Sequence, residues 1–108
     1  MTELHLDHAI VSNGRCCALI APDACVEWLC LPRFDSESVF ASLLDRERGG
    51  HFAIRLRGAT CSAAYIPDTN VLETRLVTPD AEVLVQDFCP VGFAALIRII
   101  SPIRGTPE

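Results

Sequence analysis

Apolar and polar residues alternate one by one along most of this chain, and Pro, Asp, Asn or Gly interrupts the alternation at short intervals. A period of two is the strand period, so the pattern demands extended segments joined by tight turns. Ala9 to Val11 leads into Ser12-Asn13-Gly14, where Asn-Gly suits positive φ. Arg15 to Ala21 is the next expected strand, followed by a turn at Pro22-Asp23-Ala24 and a strand from Val26 to Leu31. In His51 to Arg57, Phe52, Ile54 and Leu56 alternate with His51, Ala53, Arg55 and Arg57. Thr60 to Ile66, Val71 to Thr78, Glu82 to Cys89 and Phe93 to Ser101 complete the set, with Pro79-Asp80 forming the clearest hairpin turn.

One segment breaks the period. Asp35 or Ser36 can cap a helix, and Glu37 suits the positive end of its dipole. Val39, Phe40, Leu43 and Leu44 recur at helical spacing, Arg46 and Arg48 follow, and Gly49-Gly50 stops the run. The expected architecture is mainly β: a partial antiparallel β-sandwich with one short α-helix, in a single domain spanning residues 1–108. A mass of 11.8 kDa leaves room for one modest core.

The formal charge is −5, and all nine basic residues are arginines, interleaved with acids as in Asp45-Arg46-Glu47-Arg48. No basic stripe forms, so nucleic acid and an anionic membrane surface are poor partners. Met1 to His8 is polar and acidic, without the basic and apolar regions of an export signal, and the greasiest stretch, Val91 to Ile100, carries Arg98. The expected location is cytoplasmic, where thiols stay reduced. Five of the six cysteines (Cys16, Cys17, Cys25, Cys30, Cys61 and Cys89) lie in or beside apolar runs, so they read as small buried hydrophobes. A zinc site from Cys25, Cys30, Cys61 and Cys89 lacks the usual ligand spacing. His5 and His8 could ligate metal only on a helix and read as a solvated terminus. No cofactor signature is present.

Glycoside hydrolysis uses paired carboxylates, and Glu27, Asp35, Asp68, Glu73 and Asp87 are the acids to weigh. Three of the five have a structural reading: Asp35 as a cap, Asp68 as a turn residue, Glu73 as a surface partner of Arg75. The densest cluster is Trp28-Leu29-Cys30-Leu31-Pro32-Arg33-Phe34-Asp35-Ser36, with the only tryptophan of the chain. Trp28 and Phe34 could stack on sugar faces while Arg33 and Asp35 bond hydroxyls. The same aromatics could instead anchor the core.

This cluster, with Val39-Phe40-Ala41 and Leu44-Asp45, resembles the N-terminal domain of bacterial glycoside hydrolase family 15 proteins, which include glucoamylase-like and trehalase-like enzymes. Further matching residues are Asn13-Gly14-Arg15, Ala18-Leu19, Gly49-Gly50-His51-Phe52, Tyr65 through Arg75, Asp87-Phe88 with Pro90, and Ile97-Arg98. The resemblance implies a β-sandwich that precedes a helical linker and an (α/α)₆ barrel. That barrel carries two catalytic glutamates and cleaves α-glucosidic bonds with inversion. No catalytic residue carries over onto this sequence. The implied role is a non-catalytic domain that supports or gates a catalytic barrel, or alternatively a stand-alone carbohydrate-binding module. Implied partners are a catalytic glycosidase domain, a second copy paired through an open sheet edge, and α-glucosides. Two turns depart from the family, which places Asp-Gly where this chain has Asp23-Ala24 and Asp80-Ala81. Each alanine must either change the turn type or carry strain of about 1 kcal/mol.

Overall fold

The turn residues divide the chain into eight strands, seen in a computed structural model that describes residues 8–41, 43 and 47–105. The first sheet holds β1 (Ala9–Ser12), β2 (Cys17–Ile20), β3 (Val26–Cys30) and β4 (Ser38–Phe40). The second holds β5 (Thr60–Tyr65), β6 (Leu72–Val77), β7 (Glu82–Phe88) and β8 (Ile97–Arg104). Both are antiparallel meanders in which each strand pairs with its sequence neighbours.

Alternation sorts the two faces of the second sheet. Leu72, Thr74 and Leu76 on β6, and Val83, Val85 and Asp87 on β7, are buried, while Glu73, Arg75, Glu82 and Gln86 face outward. Val11, Ala18, Ile20, Val26 and Leu29 of the first sheet pack with Leu72 and Cys89 of the second, and Ala24 packs with Leu76, Val83 and Val85. Each of the valines, leucines and isoleucines among them contributes about 1.5–3 kcal/mol on leaving water. The two-layer arrangement follows from these two clusters.

The expected helix is replaced by a strand. Ser38–Phe40 pairs with β3 through Leu29↔Phe40 and Cys30↔Ser38. Val39 and Phe40 are β-branched and aromatic, and the open backbone of β3 offers them ladder bonds that a single helical turn cannot match. Asp35 does not cap; it pairs with Arg33, and the Ser36 hydroxyl accepts from Arg33 N at 3.1 Å. Among the described residues there is no helix. Leu44, Asp45 and Arg46, from the later part of the expected helix, and His5 lie outside the described residues.

His51 to Arg57 is also not a strand. Only Phe52 pairs, in a two-bond bridge with Val26 at 2.8 and 3.1 Å, while Ile54 and Leu56 pack sideways onto the second core cluster. The last strand begins later than expected and runs through Pro102, which a sheet edge tolerates because one face of the strand needs no donors. The two alanine turns resolve differently. Ala24 sits at φ 69 and bears the left-handed strain, whereas Ala81 is not among the positive-φ residues. Its turn is closed by the Thr78 hydroxyl, which accepts from Asp80 N and Ala81 N.

Candidate functional site

A meander puts every odd-to-even connection at one end of its sheet. In this chain the β1–β2, β3–β4, β5–β6 and β7–β8 connections therefore gather at one pole, and the side chain of Asn13 locks two of them together. Its Oδ1 accepts from Arg15 N and Cys16 N at 2.9 and 3.1 Å, and its Nδ2 donates to Pro90 O and Phe93 O at 2.7 and 2.8 Å. Gly14, at φ 87, supplies the left-handed residue this turn requires. The β3–β4 connection is pinned by Phe34 N donating to Arg15 O.

Between these loops lies a cleft of about 510 Å³ lined by Gly14, Arg15, Pro32, Arg33, Phe34 and Ala94. Arg33 and Phe34 thus share one wall, and Asp35 joins them through its ion pair with Arg33 at 3.2 Å. Both partners of that pair are more than half exposed, so it is worth 1 kcal/mol or less, ~0–1, and both groups can turn towards a ligand. Trp28 is not brought into this cleft. It stands opposite Leu19 on the outer face of β3, half-buried. Arg15, which comes with the Asn-Gly turn, joins the cleft instead.

A larger neighbouring cleft of about 730 Å³ is bordered by Ser12, Asn13, Tyr65 and Asn70. Its polar groups are mostly spent within the protein: Ser12 Oγ donates to Cys16 O, and Tyr65 OH donates to Ile10 O at 2.6 Å. This cleft is a seam tied by Tyr65 between the sheets, with little chemistry left for a ligand.

The carboxylates do not form a catalytic pair among the described residues. Asp87 is fully buried and salt-bridged to Arg98 at 2.6 Å. Burial raises its pKa, and the bond and charge of Arg98 oppose that rise. Arg98 also donates to Ala24 O and to Phe52 O, and its guanidinium lies 4.9 Å from the centre of the Phe52 ring. Glu27 is held by His8 at 2.5 Å, with the His8 side chain only 7% exposed, so His8 is a packed residue rather than a solvated one. Glu73 accepts from Gln86 and Arg75 pairs with Glu82, both across strands rather than along one. Glu73 stands directly opposite Gln86, whereas Arg75, opposite Leu84, reaches Glu82 on the diagonal; both are cross-strand neighbours on one face of the sheet, which explains the change of partner. Asp68 sits in its turn at φ 63.

All six cysteines are free thiols, four of them buried. Burial, and then the neighbouring Cys16, pushes Cys89 up to about 12; burial, and then Asp23, pushes Cys25 up to about 11. Thiols held protonated in this way are poor nucleophiles and poor ligands. Among the described residues, no three His, Cys, Asp or Glu side chains gather to hold a metal ion, and no helix is long and apolar enough to cross a membrane.

Sequence reasoning missed the Asp87–Arg98 pair. The signal was present: in β7 the inward positions read Val83, Val85, Asp87, and a carboxylate in an apolar register needs a cationic partner.

The family model for the trehalase-like N-terminal domain matches residues 5–105. A trehalase of Mycobacterium tuberculosis is 39% identical over 88 residues, which is 80% of this chain and 13% of the relative. A trehalase of Thermoplasma volcanium is 38% identical over 87 residues (77% of this chain, 14% of the relative). Trehalase 2 of Sulfolobus acidocaldarius is 33% identical over 95 residues (87% and 16%). The chain therefore spans about one-seventh of the length of these relatives. No solved structure matches it. With nearly its whole length covered by that family model, the chain belongs to the trehalase-like N-terminal family.

Proposed function

We propose that this chain serves a trehalase-type α-glucoside hydrolase, of the glycoside hydrolase family 15 kind, as a non-catalytic domain that supports or gates a separate catalytic part. The observation that supports this reading is the meeting of Gly14 and Arg15 with Pro32, Arg33 and Phe34, residues on which the family resemblance was read, around one open cleft. The cleft presents exposed arginine and phenylalanine side chains at a loop-built pole, where binding residues are usually carried. Glu27, Glu73 and Asp87 are engaged in structural pairs, which suits a supporting role. A reducing, cytoplasmic setting suits the six free thiols.

The alternative is a stand-alone carbohydrate-binding module. It is favoured by Phe34, 61% exposed, beside the hydrogen-bonding groups of Arg33 and Asp35. An aromatic face with flanking polar groups matches the two surfaces of a glucose ring.

Incubation of the pure chain with trehalose and maltose tests the main reading: no glucose is released. Reproducible turnover overturns it. Titration with trehalose, followed by NMR at Arg33, Phe34 and Asp35, separates the alternatives, since saturable shifts confined to those residues are expected only of a sugar-binding module.

A further inference from the structure

We infer that Cys17 and Cys30 are an oxidisable dithiol, which small disulfides close into a cross-strand bridge that staples together two segments lining the Arg15–Phe34 cleft. Register gives the first argument. Cys17 of β2 stands directly opposite Cys30 of β3, and the next pair along, Ala18 and Leu29, is buried in the core between the sheets. Alternation therefore turns both thiols to the same outer face. Directly opposed residues of an antiparallel ladder have Cα atoms about 4.5 or 5.5 Å apart, and a disulfide spans about 4.4–6.8 Å. Among the described residues no other two cysteines are register partners.

Access gives the second argument. Cys17 is half-buried and Cys30 is buried, so the outer thiol meets the oxidant and the inner one resolves it. The two groups also feel one another: burial raises the pKa of Cys17, and the charges of Cys30 and then Cys16 add to the rise. The Cys17 thiolate attacks a small disulfide, RSSR; its S–S bond breaks, and one RS⁻ leaves and takes up a proton. Cys30, losing its own proton, then attacks the Cys17 sulfur of the mixed disulfide and expels the second RSH. Two protein thiols and RSSR thus give one protein disulfide and two RSH. Opposed Cβ atoms lie about 4.5–5.5 Å apart, wider than the ~3.8 Å usual for a disulfide, so this bridge is strained and easily reduced. Strained bridges are the labile, regulatory kind, open wherever thiols are kept reduced.

Position gives the third. Arg15 precedes Cys17 by two residues, and Pro32, Arg33 and Phe34 follow Cys30 by two to four. These residues line the cleft, and Phe34 N already donates to Arg15 O. A covalent bond at the root of both segments adds to that hydrogen bond and restricts their separation.

The test equilibrates the chain at pH 8 with oxidised and reduced glutathione and quenches it with N-ethylmaleimide. Cleavage after Arg and Glu, then mass spectrometry, locates any link. One link between fragments 16–27 and 28–33 is expected. It persists in Cys16→Ser and Cys25→Ser and is absent from Cys17→Ser and Cys30→Ala, with circular dichroism verifying that each variant folds. Amide hydrogen exchange at residues 31–36 slows by about threefold or more on oxidation and recovers with dithiothreitol. A dominant link through another cysteine, or a glutathione adduct on Cys17 that never resolves, overturns the pair. A Cys17–Cys30 bridge that leaves exchange at residues 31–36 unchanged overturns the staple.

Discussion

Arg98 of β8 grips Asp87 of β7 with two hydrogen bonds, Nε to Oδ1 at 2.6 Å and Nη2 to Oδ2 at 3.2 Å, at a site where the two side chains are 5% and 0% exposed. The same guanidinium reaches across to the first sheet through Ala24 O. One side chain thus joins three parts of the fold: the partner strand, the β2–β3 turn and the Phe52 bridge.

Removing one member of such a pair leaves a buried charge. Arg98→Met is expected to destabilise the fold by about 3–5 kcal/mol at pH 7. The folded-state pKa of Asp87 already lies above its ordinary value because of burial, and the loss of Arg98 raises it further. A folded acid with a raised pKa is favoured in its protonated form, so its ionisation cost is absent below the unfolded pKa and grows as pH rises through the folded one. The defect of Arg98→Met should shrink on acidification, with a remainder from the lost bonds to Ala24 and Phe52. Urea denaturation at pH 7 and pH 5 checks this; an equal defect at both values contradicts it.

Thr74 is fully buried between the sheets, and its hydroxyl has no hydrogen-bond partner among the described residues. An unsatisfied buried hydroxyl costs about 1–3 kcal/mol. Thr74→Val keeps the β-branched shape and removes the polar atom, so it is expected to stabilise the chain by about 1 kcal/mol or more. A thermal melt reads the change; a lower midpoint for Thr74→Val counts against the unsatisfied state.

Cys89, at about 12 against an ordinary 9.0, carries roughly a thousandfold less thiolate at pH 8 than an unperturbed thiol. Iodoacetamide should therefore label Cys89 and Cys25 at least a hundredfold more slowly in the folded chain than in urea. Because the folded values lie above the unfolded ones, the protonated thiols favour the fold up to about pH 9, and this contribution is lost as pH rises towards 12. Mass spectrometry of labelled peptides over time measures the rates. Fast labelling of Cys89 in the folded state is incompatible with its burial.

The edge strand β8 leaves Ile97, Ile99, Ile100 and Ile103 between 38% and 53% exposed. Unpaired edges with apolar side chains recruit further strands. The isolated chain is expected to self-associate with rising concentration, and Ile99→Lys with Ile100→Lys to return it towards monomer. Light scattering coupled to size exclusion decides the matter: a concentration-independent monomer refutes edge pairing.

The sandwich-forming strands were legible in the amino-acid order because their information is local. Alternation in Leu72–Val77 and Glu82–Phe88 names the buried face, and Pro79-Asp80 marks the turn between them. Helix against strand at Ser38–Phe40 was not local. A short apolar run fits both periods, and the free edge of β3 decided between them. The cleft was half legible. Arg33, Phe34 and Asp35 are adjacent in sequence, so their clustering was readable, but Trp28 left the group because alternation along β3 turned it to the opposite face from Leu29.

What the residue order determined by itself is the set of strands, their inward faces and the turns that join them, since backbone preference and side-chain alternation act over a few residues. What only the tertiary structure decided is which distant groups meet. Asn13 with Pro90, Arg98 with Asp87 and Ala24, Tyr65 with Ile10 and His8 with Glu27 are bonds between segments far apart in the chain. Desolvated polar groups must find partners wherever the packed sheets bring them.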